Sequence, residues 1–259
     1  MMFRIGFDPP SKIMIAFEKR GLLASGSGLL RTVVLGLVVL LGSIMTAGRA
    51  QPGNTRMTVD GEGAVILPDA TKDLEMSLEA ALQARRSVRD FAASPIDLEA
   101  LAQLSWAAQG VTSSEGFRTA PSAGALYPLE LFVVAGNVPS LPAGIYRYKS
   151  KRHQLLPVVS GDRRQELATA ALHQTWIADA PAVVVVAALF ERTTGKYGER
   201  GIRYVHIEAG HAAENLCLQA VSLGVGTTVV GAFSDDSVKR VLDLADEEPL
   251  LLIPVGKPR

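Results

Sequence analysis

Apolar positions change their spacing several times along this 259-residue chain, and each change marks a new element. Thr32 to Ala47 is one continuous apolar run, preceded by Lys19, Arg20 and Arg31 and followed by Gly48 and Ala50 at the spacing of a signal-peptidase site. The run is shorter than the roughly 20 residues a membrane-spanning helix needs, and it suits the core of a signal peptide. Residues 1–50 are therefore read as a signal peptide or membrane anchor, which implies an exported (periplasmic) or inner-membrane-anchored protein. A start at Met14 would shorten an unusually long charged region, and a misassigned start would make the protein cytoplasmic. Lys19-Arg20-Gly-Leu-Leu resembles a twin-arginine export signal with lysine in place of one arginine. Residues 51–73 are rich in Gly, Pro, Asp and Thr without sustained periodicity, and read as a linker or extended arm.

From residue 74 the periodicity becomes regular. Leu74, Leu78, Ala81 and Leu82 predict a helix over Leu74–Arg86. Leu98, Leu101, Leu104 and Ala108 predict a second over Asp97–Gln109, stopped by Gly110. Leu129–Ala135 is a short Val- and Phe-containing run that reads as a buried strand. Gly144–Tyr148 and His153–Val158 alternate and predict a hairpin around the polar, exposed turn Lys149–Arg152. A helix is expected over Asp162–Thr175, and Ala182–Leu189 is the clearest central strand. The longest helix runs from Tyr204 to Leu223, where Ala209, Ala212, Ala213, Leu216, Ala220 and Leu223 make a small apolar surface suited to a dimer core. Thr227–Phe233 and Leu250–Val255 complete the strands, with a helix over Ser234–Leu244 that Ser234-Asp235-Asp236 caps. The expected fold is α+β or mixed α/β, a three-layer domain of four or five strands over residues 74–259.

Composition narrows the function more by exclusion than by indication. Lys and Arg number 26 and Asp and Glu 26, so no global field favours nucleic acid or an anionic membrane. Contact with a membrane is expected only through the N-terminal segment. A single cysteine, Cys217, excludes an internal disulfide and a multi-cysteine metal site, and reads as a small buried hydrophobe. His211 lacks a second donor one turn away, so it reads as a packed or interfacial residue and no metal site is expected. Glu208 and Glu214 read as groups on the helix surface or at an interface.

Two segments carry candidate chemistry. Arg85-Arg86-Ser87-x-Arg89 sets three guanidinium groups and a hydroxyl within five residues, a set that can converge on one phosphate dianion. It is equally a run of cations at a helix end, where the dipole favours them. Pro121-Ser122-Ala123-Gly124-Ala125-Leu126-Tyr127-Pro128 is aperiodic and bracketed by prolines. Its small residues allow backbone to approach a flat ligand that Tyr127 would wall, or it is an ordinary turn before a strand. Gly224-x-Gly226-x-x-x-x-Gly231 is not a dinucleotide fingerprint, because it follows a helix and precedes a strand; Gly224 reads as a helix C-cap.

Five segments in order resemble the nitroreductase family: R-R-S-x-R-x-F at 85–91, P-S-A-G-A-L-Y-P at 121–128, E-A-G-H-A-A-E-N-L at 208–216, G-x-G-T-T-V-V-G-A-F at 224–233 and L-L-L-I-P-V-G-K-P at 250–258. The second and third are most similar to the SagB/ThcOx branch, whose members oxidise azoline rings in peptides. The resemblance implies a nitroreductase-like α+β fold with a central mixed sheet, an intertwined homodimer, and FMN bound at its interface. It places Arg85, Arg86 and Ser87 on the phosphate and ribityl chain, and Arg89 at the edge of the ring where positive charge favours the anionic reduced flavin. It places Pro121, Ser122, Ala123 and Gly124 of the partner subunit against the ring, the N–H groups of Gly231 and Ala232 near its reactive edge, and Lys257 with Arg259 on the phosphate. Many family members extend beyond the final strand, whereas the sequence here stops at Arg259.

The azoline-oxidising branch implies one more pair. Lys196-Tyr197 matches a Lys-Tyr pair that removes a ring proton while hydride leaves to the flavin; Arg192, Arg200 and Arg203 lie close in sequence and would lower the pKa of that lysine. The bland alternative is an exposed loop, T-T-G-K-Y-G-E-R. The expected activity is an FMN-dependent oxidoreductase moving hydride equivalents to or from a small molecule or a peptide heterocycle, with NAD(P)H as a candidate electron donor. The competing expectation is an exported or membrane-tethered protein that binds flavin or a partner without turnover.

Overall fold

A computed structural model describes residues 57–259, which fall within one unit spanning Gln51–Arg259. The signal-peptide or anchor expectation lies outside the described residues. In chain order the elements are β1 (Thr58–Val59), β2 (Val65–Ile66), α1 (Leu78–Ala84), α2 (Leu98–Gln109), β3 (Leu129–Ala135), β4 (Gly144–Lys149) and β5 (Gln154–Ser160). They continue with α3 (Arg164–Ala170), α4 (Trp176–Asp179), β6 (Ala182–Ala188), α5 (Glu191–Tyr197), α6 (Arg200–Ser222), β7 (Gly226–Thr227), α7 (Asp235–Leu242) and β8 (Glu248–Gly256).

The sheet forms around β6, whose seven residues are all buried. Alternate side chains of a strand point to opposite faces, so a continuously apolar strand needs cover on both. On one face Val184 and Val186 join Leu101 and Leu104 of α2 and Ala212 and Leu216 of α6. On the other, Val183 and Val185 join Leu167 of α3, Ile177 of α4 and Val238 and Leu242 of α7. The result is the expected three-layer α+β arrangement. Among the described residues the sheet has eight strands in the order β1-β2-β5-β4-β3-β6-β8-β7. Its ladders are antiparallel, and the mixed character rests on a single parallel bridge between Ser87 and Thr227.

The additional strands are short, which is why periodicity missed them. Residues 58–66, expected within a linker or arm, pair as a two-residue hairpin and extend the sheet beyond β5. Of the strand expected over Thr227–Phe233, two positions remain in β7, and Val230 rejoins the sheet through one bridge to Leu252. The helix expected over Asp162–Thr175 ends at Ala170, because Leu172 and His173 both adopt left-handed backbone, φ 58° and 61°, and the short α4 begins only at Trp176. The first helix is confined to Leu78–Ala84, N-capped by Ser77, and of its stripe only Ala81 is buried. The longest helix starts at Arg200, earlier than expected, and Gly224 at φ 67° follows its end as its predicted cap. Its alanine-rich face is not free for a partner, since Ala209, Ala212, Ala213 and Ala220 are consumed in the core of the same chain. Cys217 is buried as expected.

Gly256 closes β8 where three segments meet. A Cβ there would lie 2.6 Å from Pro181 Cδ and 3.0 Å from Phe91 Cδ1. Gly256→Ala is therefore expected to cost about 1–3 kcal/mol of stability through overpacking, read as a lower urea midpoint at unchanged slope.

Candidate functional site

The basic segment after α1 is held in place by backbone pairing. Val88 N–H donates to Thr227 C=O at 2.9 Å, and Ala92 N–H donates to Lys257 C=O at 2.9 Å. Arg85, Arg86, Ser87 and Arg89 thereby line up beside β7 and the C-terminal Lys257 and Arg259, along one edge of the sheet. Their charges are not equally available. Arg85 Nε lies 3.8 Å from Glu214, and Arg259 Nη1 lies 3.2 Å from Asp90. Arg86 and Lys257 are exposed and form no ion pair among the described residues. Arg86 Nη1 instead donates to the carbonyls of Gln83 and Arg85, which ends the helix. Arg89 lies over the Trp176 ring, 5.8 Å from its centre, and the neighbouring Gln174 donates to Ala232 C=O at 2.9 Å. Gly231 and Ala232 are both exposed, so this edge continues from the guanidinium groups to free backbone.

The other candidates gather elsewhere. Pro121 to Gly124 lie in the turn that leads into β3, within which Ala123–Ala125 form a single 3-10 turn. Gly124 is left-handed at φ 64°, and a Cβ on it would meet Tyr197 Oη at 2.7 Å and Lys196 Nζ at 3.0 Å. Lys196 and Tyr197 stand in the last turn of α5, not in an open loop, and Lys196 Nζ lies 5.4 Å from the centre of the Tyr197 ring. Arg192, one turn earlier, is engaged by Glu130 at 2.8 Å and by the Tyr127 carbonyl at 3.0 Å. Its charge is thus already matched by a carboxylate other than any near Lys196.

The turn itself is strained. Ala125 and Tyr127 sit at φ 54° and 48°, conformations that cost a residue with a Cβ about 1 kcal/mol each. Compensation comes from side chains. Ser122 Oγ accepts from Tyr127 N–H at 2.9 Å, and the Arg118 guanidinium stacks over the Tyr127 ring at 4.5 Å. Beside this turn stands Glu208 of α6. Glu208 was expected on the helix surface, but it is 2% exposed and its Oε1 has no partner among the described residues. Burial raises its pKa to about 7, against smaller opposing effects of Ser122 and the Arg118 charge. The helical period contains the signal: Glu208 lies on the stripe with Val205, Ala209 and Ala212, so a carboxylate falls on an apolar face. Glu214, by contrast, is exposed beside Arg85, and His211 is exposed as well.

The sequence-predicted residues therefore form two groups. Arg85, Arg86, Ser87, Arg89, Lys257 and Arg259 flank the start of β6, whereas Gly231 and Ala232 follow the bridge from Val230 to Leu252, level with Val185 in the middle of that strand, and are tied through Gln174 to the segment that carries Trp176. Pro121, Ser122, Ala123, Gly124, Lys196 and Tyr197 flank its end. Six residue steps of strand separate the two ends, about 20 Å.

A pH dependence follows from Glu208. A carboxyl whose folded pKa is raised gives stability that is complete below its unfolded pKa and is lost as pH rises through the folded one. Between pH 4.5 and about 7 the stability of the protein is expected to fall by up to roughly 3 kcal/mol, and Glu208→Gln to remove that decline. Urea denaturation at several pH values measures it; identical profiles for the two proteins would refute it.

Comparison with known proteins places this geometry in a family. The Nitroreductase family profile matches residues 82–257. The protein named "Putative nitroreductase MJ1384" from Methanocaldococcus jannaschii is 48% identical over 193 residues, covering 74% of this chain and 96% of that protein. A crystal structure of the same description from Ralstonia eutropha JMP134 has a TM-score of 0.68 at 30% identity, covering 79% of this chain and 94% of the other. The Escherichia coli microcin B17-processing protein McbC is 28% identical over 132 residues, about half of each chain, in line with motifs resembling the SagB/ThcOx branch. The chain, an oxidoreductase by this kinship, belongs to the nitroreductase family.

Proposed function

We propose that the protein is an FMN-dependent oxidoreductase that passes hydride equivalents to or from a small organic substrate, and that it works as a homodimer. The separation of the candidate residues into two groups at opposite ends of β6 carries this reading. One chain offers a cationic edge with free backbone beyond it, and, about 20 Å away, a turn that meets a Lys-Tyr pair. Two antiparallel copies bring the edge of each against the turn of the other. The surface agrees with such an assembly: Leu78 and Leu82 of α1 are 60% and 54% exposed, and Ile202 and Ile207 of α6 are 43% and 47% exposed. Exposed apolar side chains of that size are available to a protein contact.

The donor set of the edge fits a flavin phosphate. Arg86, Arg85 and the Ser87 hydroxyl hold it through charge-assisted hydrogen bonds, and Lys257 adds a further charge. Arg89, positioned by Trp176, sets positive charge along the ring, and Gly231 and Ala232 present backbone N–H groups to it. Pro121 to Gly124 of the partner subunit cover the ring and exclude water. Bound FMN supplies the hydride chemistry. Lys196 Nζ and Tyr197 Oη, converging beside Gly124, hold or move the proton that accompanies the hydride. The substrate class is a nitro or quinone compound in the reductive direction, with NAD(P)H as donor, or an azoline-type ring in the oxidative one. The apolar run at 32–47 supports an exported or inner-membrane-anchored location.

Purified dimer is expected to be yellow and to bleach with NAD(P)H or dithionite. A colourless protein that takes up no added FMN would overturn the proposal. Arg85→Ala combined with Ser87→Ala should weaken FMN binding at least tenfold while size-exclusion chromatography still shows a dimer, since one charge-assisted hydrogen bond is worth about 1.5–3 kcal/mol. Lys196→Ala or Tyr197→Phe should slow turnover of a quinone, nitroaromatic or azoline by about 10²–10⁴ at full flavin occupancy. Unchanged turnover in both would leave a flavin-binding protein without the proposed proton transfer.

A further inference from the structure

Behind the strained turn, and outside both groups of flavin residues, lies a cavity of about 410 Å³. Its apolar wall is Leu129 and Leu131 of β3, Tyr148 of β4 and Leu156 of β5, and the cationic turn at residues 149–152 lines it as well. Its polar end is Gln109, the last residue of α2, together with Arg118.

Gln109 is 1% exposed. Its Oε1 accepts from Arg118 Nη1 at 2.7 Å. That bond fixes the amide, because turning it over would set two donors face to face. Nε2 is then a buried donor, and it has no partner among the described residues. Leaving such a group unpaired costs about 1–3 kcal/mol. Arg118 is in a similar position. Its guanidinium is half-buried, stacks on Tyr127, and forms no ion pair among the described residues. The nearest carboxylate on the cavity wall, Glu130, is already paired with Arg192 at 2.8 Å and Arg147 at 3.6 Å. At the rim, Glu62 is paired with Arg152 at 3.2 Å. A buried amide donor and the Arg118 guanidinium thus stand at one end of a chamber with an excess of cations, since Lys149 and Lys151 also line it and form no ion pair among the described residues.

We infer that this cavity binds a small carboxylate carrying one apolar side chain, of the size of an acylated amino acid. The carboxylate accepts from Gln109 Nε2 and from the Arg118 guanidinium, and the apolar body lies on Leu129, Leu131, Tyr148 and Leu156. The volume is within the usual range for small-molecule sites, and the surplus of cations in the lining favours an anionic occupant. Through Arg118 and its stack on Tyr127, an occupant also touches the rear of the turn that holds Gly124. The same chemistry is offered by a free acyl amino acid and by the C-terminus of a peptide. Neither flavin binding nor turnover enters this inference.

The test is isothermal titration of the full chain with three probes: N-acetyl-leucine, its C-terminal amide, and N-acetyl-Ala-Ala-Leu. N-acetyl-leucine is expected to bind saturably with one site per chain, and the amide at least tenfold more weakly. Gln109→Leu, which keeps the volume and removes the donor, should weaken the acid at least tenfold and leave the amide unaffected. Arg118→Gln should do the same, with circular-dichroism melting to check each fold; if Arg118→Gln does not fold, Gln109→Leu decides. Binding of the tripeptide as tightly as the single residue identifies a peptide C-terminus as the occupant, and loss of tripeptide binding identifies a free acid. Equal affinity for acid and amide, unchanged binding to Gln109→Leu, or no saturable binding of either acid at millimolar concentration overturns the inference.

Discussion

Burial of β6 on both faces is the constraint from which the rest of the structure follows. Seven consecutive small or β-branched residues leave no solvated side, so helices must cover the sheet above and below. Once both faces are packed, no side chain from the middle of the central strands is available for chemistry. Candidate functional groups are displaced to the ends of the strands and to the connections between elements. Arg85–Arg89 and the C-terminus gather at one end of β6, and the Pro121–Tyr127 turn with Lys196 and Tyr197 at the other. The division of the site is thus a consequence of how the core is filled.

The turn at the second end shows how a strained connection is kept in one conformation. Left-handed backbone at Ala125 and Tyr127 is unfavourable by itself. It persists because Ser122, Arg118 and Arg192 all engage Tyr127, beside the buried Glu208. A carboxyl in that position costs energy when ionised and little when protonated. The position of Gly124 against Lys196 and Tyr197 is therefore coupled to groups that touch neither. Arg118 extends the same network to Gln109 and the cavity behind it.

The first end is built differently. Backbone pairing with Thr227 and Lys257 holds the basic segment, so its side chains remain free to meet a ligand. Partial neutralisation of Arg85 by Glu214 and of Arg259 by Asp90 leaves Arg86 and Lys257 as the open charges. Exposed leucines on α1 and isoleucines on α6 lie outside the core that covers β6. The alanine-rich helix face is thus consumed in the core, while larger apolar residues face outward.

The sequence alone determined the elements whose periods are long or unbroken: α2, β3, β6, the β4–β5 hairpin and most of α6. It also determined the family, because five short motifs in order constrain kinship more tightly than any one of them. The extra strands were invisible, because a two-residue strand such as β1 has no period to read. The break at Leu172–His173 was invisible too, since neither residue type announces left-handed backbone. Glu208 was misplaced on the surface although its spacing set it on the apolar stripe, because a carboxylate's preference for water outweighed the period. Only tertiary structure decided that Gly124 meets Lys196 and Tyr197, that Gln109 is left with an unpaired donor, and that the cationic edge and the Lys-Tyr pair stand at opposite ends of one strand. Such facts depend on contacts between residues tens of positions apart, which local pattern cannot encode and which the packing of a doubly covered sheet imposes.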